Sequence, residues 1–353
     1  MEGGSTACID WPAVSEGAAN ADTGYVHKVS VVVPVYQGER TLPTLTKEIA
    51  PLTSAVTTPA GHVMRVAEVI LVHDNGPDQS AETIRDLADE FGFVRPVWLS
   101  RNFGQHAATL AGMASSGGDW IVTMDEDGQH DPADIARFLD LALAEQVRVV
   151  YGDPTNAAPH GSLRNAASRG TKWIFSRLLS SGEVASFQSF RLVLGEVGRS
   201  VAAYAGSGVF LDVALAWVNG RTAACPARLR HDNGRPSGYS MRRLLSHFWR
   251  MVITSGTRAL RLVSALGASL AVIGIVLAAV LVVRRLTGDV EVAGWTSVMV
   301  VFLLGTGVVL FALGMIAEYL GVAVNMAMGK PPYLIVGDPA DGPLGARLPR
   351  TPE

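Results

Sequence analysis

Residues 119–132 read Asp119-Trp120-Ile121-Val122-Thr123-Met124-Asp125-Glu126-Asp127-Gly128-Gln129-His130-Asp131-Pro132. The first half is a short aromatic and β-branched run, the composition of a buried strand. The second half crowds acidic and amide side chains directly behind it. Neighbouring carboxylates repel one another, which costs stability. A bound divalent cation removes that cost. Mg2+ or Mn2+ prefers carboxylate and water oxygens and commonly bridges substrate phosphates. Asp125 and Asp127 are separated by one residue, so in extended backbone both point to the same side. Asp131-Pro132 has the form of a helix start, with Asp131 as N-cap and Pro132 at the first helical position. The spacing also fits an acidic helix-start loop that holds no metal.

Outward from this stretch, short β-branched runs alternate with helical patterns. KVSVVVPVY (Lys28 to Tyr36), EVILVH (Glu68 to His73) and VRVVYG (Val147 to Gly152) read as strands; VRPVWLS is a weaker one, interrupted by Pro96. AETIRDLADEFG and QHAATLAGMASS between them have helical character. This alternation predicts an α/β domain with a mostly parallel, Rossmann-like sheet and helices on both faces. Ligands bind such sheets at the carboxyl ends of the strands. The unusual polar residues fall there: PVYQGE after the first strand and His73-Asp74-Asn75-Gly76 after the second. A carboxylate and an amide in that place can bind a nucleotide base or ribose, although Asp, Asn and Gly also make plain turns.

The chain has 353 residues, 48% hydrophobic and 17% charged, against about a quarter charged in ordinary soluble domains. Its net charge of -3 lacks the basic balance of a nucleic-acid protein. Cys8 and Cys225 build no disulfide framework and stand in no zinc spacing. No G-x-x-x-x-G-K-[ST] loop is present, which excludes a P-loop ATPase. Residues 1–25 have no signal-peptide pattern and read as a disordered tail of small and acidic residues.

The apolar excess is local. Leu262 to Val283 and Trp295 to Ala317 carry no charged residue. At 1.5 Å per residue each makes a helix of roughly 33 Å, enough for a hydrocarbon core of about 30 Å. The short connector RRLTGDVEVAG makes them a transmembrane hairpin with both chain ends on one side. Arg242, Arg243, Arg250, Arg258 and Arg261 precede the first span and Lys330 follows the second. That excess predicts cytoplasmic outer ends, although Arg284 and Arg285 at the connector oppose it. The organisation expected is a tail (1–25), a catalytic domain (26–238), an amphipathic interfacial helix (239–261), two spans (262–283 and 295–317) and a cytoplasmic tail (318–353).

Several motifs stand in order along the chain: VVVPVYQGE, HDNGPDQS, LSRNFGQHAATLAG, DEDGQHDPADI, SFRL (Ser189 to Leu192), SGYSMRRLL, GMIAEYLG and GKPPYLIV. In these, from about Ser30 to Val336, the chain resembles the polyprenyl-phosphate glycosyltransferases, membrane enzymes of glycosyltransferase family 2 with the GT-A fold. RNFGQHAATLAG is most similar to the aminoarabinose-type members. The resemblance implies a nucleotide-sugar donor, a polyprenyl phosphate acceptor, a lipid bilayer as partner, no nucleic acid, and room for a homo-oligomer. It also implies a multi-pass protein of the cytoplasmic membrane with its catalytic domain in the cytoplasm. By resemblance, Pro34, Tyr36, Glu39, Asp74, Asn102, Gln105 and Asp125 bind the nucleotide sugar, with Asp74 at the base. Asp125, Asp127 and Gln129 hold Mg2+ or Mn2+. Arg164, Ser168 and Arg191 face the acceptor phosphate, and Asp125, Asp127 and Arg164 carry catalysis.

Three positions depart from the pattern. His73 stands where the family usually has an acidic residue, GDPTNAAPHG lacks an arginine usually found there, and Ser189 stands where an aspartate often precedes Phe-Arg. The chemistry tolerates the last. A phosphate monoester has a second pKa near 6 and is largely dianionic at neutral pH, so it attacks without a general base. Single displacement then inverts the anomeric carbon. A processive polysaccharide synthase would carry a Gln-x-x-Arg-Trp motif, which is absent. A catalytically silent membrane scaffold is the alternative from another class.

Overall fold

The computed structural model describes residues 24–156, 188–206, 209–230 and 294–341, with isolated positions between 267 and 287. The chain divides into two compact units, one built from residues 1–205, 209–237 and 331–353, the other from 206–208 and 238–330.

The first unit is an α/β domain. Its elements are β1 (Val26–Val35), α1 (Leu42–Ile49), β2 (Val56–Thr57), β3 (Val63–His73), α2 (Ser80–Glu90), β4 (Val94–Leu99), α3 (Gln105–Ser115) and β5 (Trp120–Thr123). They continue with α4 (Asp134–Glu145), β6 (Val149–Pro154), β7 (Arg191–Leu194), α5 (Gly195–Tyr204), α6 (Leu211–Val218) and β8 (Ala223–Ala227). A last short strand, β9 (Ile335–Val336), follows α7 (Trp295–Ala327) of the second unit. The sheet runs β8-β6-β7-β5-β1-β3-β4-β9, with β2 paired to β3.

The sheet is mixed, which corrects the expectation of a mostly parallel one. Pairs β1–β3, β1–β5, β3–β4 and β6–β8 are parallel. β7 enters between β5 and β6 and runs antiparallel to both, and β9 is antiparallel to β4. Pro96 is tolerated in β4 because that strand lies near the sheet edge, where β9 reaches only Trp98 and Leu99.

Helices cover both faces, as the alternation predicted. Val29, Val31, Val33 and Val35 of β1 pack with Leu45 of α1, Ile84 of α2 and Phe138 of α4. Val32, pointing the other way, packs with Leu110 of α3, Val201 of α5 and Leu215 of α6. The continuous apolar runs Val31–Val35 of β1 and Val69–Val72 of β3 are buried on both faces, the pattern of a sheet covered on both sides. The order reverses around β1: β3 and β4 lie on one side, β5 on the other. A crevice at the carboxyl ends of β1 and β5 follows from that reversal.

The second unit's described helix, α7, runs on from Glu318 through Ala327, beyond the apolar stretch read from sequence. Its segment Gly305–Asn325 is long and apolar enough to cross a membrane. Val301, Phe302, Leu310, Leu313 and Leu320 are all exposed on it. The expected interfacial helix and most of the first span lie outside the described residues.

Candidate active site

The crevice is real: a pocket of about 260 Å³ opens at the ends of β1 and β5, lined by Pro34 and Thr123 of those strands and by Met124 and Asp125 just after β5. Gln105, His106 and Thr109 of α3 form one wall, and Gln188, Ser189, Arg191 and Asp212 another. The register explains the second wall. Because β7 is antiparallel to β5, with Thr123 opposite Arg191, the start of β7 lies beside the end of β5. Residues about 65 apart in sequence thereby meet.

Asp125 is the centre of the arrangement. Its Oδ1 accepts from Gln105 Nε2 at 2.5 Å, and its Oδ2 accepts from Ser189 Oγ at 2.6 Å. Its own N–H donates to His130 Nδ1 at 3.2 Å. His130 is buried and stacked on Phe190, centroids 4.8 Å apart. Thr123 Oγ1 donates to the Ser189 carbonyl at 2.6 Å, and Arg191 Nε donates to Thr123 Oγ1 at 3.1 Å.

The strand ends at Thr123 and Glu126-Asp127 form a turn, so the extended-strand argument for Asp125 and Asp127 does not hold. The chain bends because Asp127 Oδ1 accepts from the Gln129 N–H at 3.0 Å and Gly128 takes φ +72°. The helix start is corrected too. Asp131 Oδ1 accepts from Ala133 N–H at 2.9 Å, and the Asp131 carbonyl from Asp134 N–H at 3.1 Å. That makes one tight turn, and α4 begins at Asp134 with Ala133 as its N-cap. Glu126 reaches across to the β1 loop, accepting from the Tyr36 and Gln37 N–H groups at 2.8 and 2.9 Å.

The loops after β1 and β3 are packed together. A Cβ on Gly76 would lie 1.6 Å from the Tyr36 carbonyl oxygen, so only glycine fits there. Glu39 Oε2 accepts from Gln79 N–H at 3.3 Å. Asp74 is buried, and its two oxygens accept from the Phe103 and Gly104 N–H groups at 2.7 and 2.8 Å. Burial pushes its carboxyl above the ordinary carboxylate value, and those two N–H bonds pull against the rise. Asp74 therefore shapes the loop that carries exposed Asn102 and leads into Gln105.

Arg191, expected at the acceptor phosphate, is only 3% exposed and ion-paired with Asp212. A buried guanidinium requires such a counterion, so its charge is already met within the protein. Burial pushes the Asp212 carboxyl up while Arg191 pulls it down. Burial also raises the Tyr151 phenol, which donates to Asp212 at 3.3 Å. Asp212 went unread in the sequence, although a lone acid within Phe210-Leu211-Asp212-Val213-Ala214-Leu215 signals a buried partner. Arg164 and Ser168 lie outside the described residues.

Of the predicted residues, Pro34, Gln105, Asp125 and Arg191 thus share one pocket. Tyr36, Glu39 and Asp74 stand on the loops behind it, and Asp127 and Gln129 on the turn beside it. Among the described residues no three His, Cys, Asp or Glu side chains are grouped to enclose an ion. Asp125, Asp127 and Gln129 carry the oxygen donors of this segment; a cation held by them would take its other ligands from water and substrate phosphates, the habit of Mg2+.

Residues 30–194 match the model for glycosyl transferase family 2. The chain is 33% identical over 326 residues to an undecaprenyl-phosphate 4-deoxy-4-formamido-L-arabinose transferase of Pseudomonas aeruginosa, covering 87% of this chain and 89% of that one. This chain belongs to glycosyltransferase family 2. A second relative, the transferase of the same description from Enterobacter sp. (strain 638), is 29% identical over 325 residues, covering 88% of this chain and 93% of that one. Among solved structures, a Mycobacterium tuberculosis glucosyl-3-phosphoglycerate synthase complex with Mn2+, UDP-glucose and phosphoglyceric acid overlays this glycosyltransferase with TM-score 0.44 and 17% identity. That overlay covers 66% of this chain and 79% of the other.

Proposed function

We propose that this glycosyltransferase moves a sugar from a nucleotide diphosphate donor to a polyprenyl phosphate, with inversion, at the cytoplasmic face of a membrane. One observation carries the reading: Asp125 stands at the crevice where the strand order reverses, its carboxylate oriented from both sides by Gln105 and Ser189. The curated relatives of nearly the same length, whose names specify undecaprenyl phosphate, supply the acceptor class.

The donor lies across the carboxyl ends of β1, β3 and β5. Pro34, Tyr36, Glu39 and Asn102 line its nucleotide, and Asp74 holds the 103–104 loop against the base. Asp125, Asp127 and Gln129 hold Mg2+ or Mn2+, which when bound neutralises charge developing on the leaving diphosphate. Arg164 and Ser168 meet the acceptor phosphate. Arg191, neutralised by Asp212, anchors Thr123 and the wall behind Ser189. The acceptor dianion attacks the anomeric carbon and needs no proton removed. α7 is the second helix of a two-helix membrane hairpin whose outer ends, and the catalytic domain, are cytoplasmic.

The test is incubation of detergent-purified protein with UDP-, GDP- and dTDP-sugars plus polyprenyl phosphate. A lipid product whose mass equals polyprenyl phosphate plus one glycosyl unit is expected. Nucleotide binding without any such product would favour a silent scaffold.

A further inference from the structure

The segment that follows α7 in the chain returns to the sheet of the first unit. Ile335 and Val336 pair with Leu99 and Trp98 of β4, and Ser100 N–H donates to the Leu334 carbonyl at 3.0 Å. Two main-chain pairings make a weak strand by themselves. A fork closes it: Arg85 Nε and Nη2 of α2 donate to Asp338 Oδ2 and Oδ1, both at 2.7 Å. Both side chains are 15% exposed, and Asp338 Oδ1 is further fixed by the Ala340 N–H at 2.9 Å. The Arg85 guanidinium also lies over the Trp98 ring, 4.8 Å from its centroid. A bidentate, half-desolvated pair of this kind is stronger and more directional than a surface ion pair.

The pairing acts where β4 ends. Beyond Leu99 the chain runs through Ser100 and Asn102 to Phe103 and Gly104, whose N–H groups bind Asp74, and then to Gln105, which binds Asp125. Tyr333 of the returning segment and Phe103 of the loop pack on the same apolar cluster. We infer that Arg85 and Asp338 are positioning residues of the donor site: they latch residues 331–341 onto β4 and thereby fix the 100–105 loop. The inference that this loop serves the donor rests on the function proposed above.

The experiment uses the full chain in detergent and compares wild type with Asp338→Asn, Arg85→Gln and Asp338→Glu. Hydrogen exchange reads the latch without any ligand. Asp338→Asn and Arg85→Gln should speed exchange of the Ser100, Phe103 and Gly104 amides by about tenfold while the β1 amides stay unchanged, because opening is local. Asp338→Glu, which keeps a carboxylate, should stay within about threefold of wild type. In the transferase assay, Asp338→Asn should raise donor KM about fivefold with kcat within about twofold, the signature of lost ground-state positioning. Unchanged loop amides would overturn the inference, and so would a uniform rise across the sheet. Loop amides that respond in a protein that transfers no sugar would leave the latch standing and refute the transferase reading instead.

Discussion

Ser189 Oγ donates to Asp125 Oδ2 at 2.6 Å. The hydroxyl at the position where an aspartate was expected thus orients the carboxylate at the centre of the pocket. An aspartate at 189 would set a second carboxylate against Asp125 in place of a donor. Ser189→Ala should cost less than about tenfold in rate, or ~1.4 kcal/mol of barrier, since Gln105 still holds the other oxygen. Ser189→Asp should cost more than Ser189→Ala. Steady-state kinetics at saturating donor decides between them, and a dead Ser189→Ala enzyme that binds donor normally would refute the positioning role.

The turn that follows Asp125 gives a second expectation. Asp127 holds the bend through the Gln129 N–H and offers a second oxygen donor on the same turn. Asp127→Asn should abolish transfer, and EDTA should do so reversibly on adding Mg2+ or Mn2+. Full activity in EDTA would remove the metal from the mechanism.

The Arg191–Asp212 pair concerns stability. Their side chains are 4% and 10% exposed. Asp212→Asn strands a buried cation and should destabilise the domain by about 3–5 kcal/mol. The double change Arg191→Met with Asp212→Leu removes both charges and should recover most of that loss. Thermal unfolding in detergent measures both, and a single mutant as stable as wild type would contradict the pairing.

A buried carboxylate sets an acid limit. Glu68 accepts from Ser30 Oγ at 2.7 Å, from the Gly117 N–H at 2.6 Å and from Arg95. Burial pushes its carboxyl up, but these bonds outweigh burial and leave it below its ordinary value. A lowered carboxyl contributes stability above its unfolded pKa and loses it as pH falls through the folded one. Wild-type Tm should therefore drop more steeply than that of Glu68→Gln between about pH 5 and pH 3. Parallel Tm curves would show that the network does not respond to pH.

How much of this was legible depended on local pattern. β1 and β3 are runs of Val and Ile long enough to declare themselves, and the acids behind the four-residue β5 marked the site. β7 is four residues, Arg191 to Leu194, and β9 is two. Such elements carry no period, and only the sheet they join defines them. The mixed topology, and hence the meeting of Ser189 with Asp125, was therefore hidden. Asp131-Pro132 misled by one turn because its carboxylate caps Ala133 rather than the first turn of α4. The charge on Arg191 was read as available because its partner, Asp212, is 21 residues away on another element.

The last expectation concerns the nucleophile. If the acceptor dianion attacks unaided, the rate should fall below about pH 6, where the phosphate takes up its second proton. Two histidines near the pocket call for control variants. His106 lines the pocket against Phe210, centroids 4.6 Å apart, and His130 accepts from the Asp125 N–H. His106→Gln and His130→Gln should each retain the acid limb if the phosphate is its source. If Arg164 meets the acceptor phosphate as proposed, Arg164→Ala should weaken the reaction more than Ser189→Ala does, a charge-assisted contact being worth about 1.5–3 kcal/mol. The measurement is kcat and kcat/KM for the acceptor as a function of pH for each variant. An acid limb that disappears with either histidine would move its source from substrate to protein. An Arg164→Ala enzyme with unchanged acceptor KM and kcat would leave the phosphate to be held by other cations.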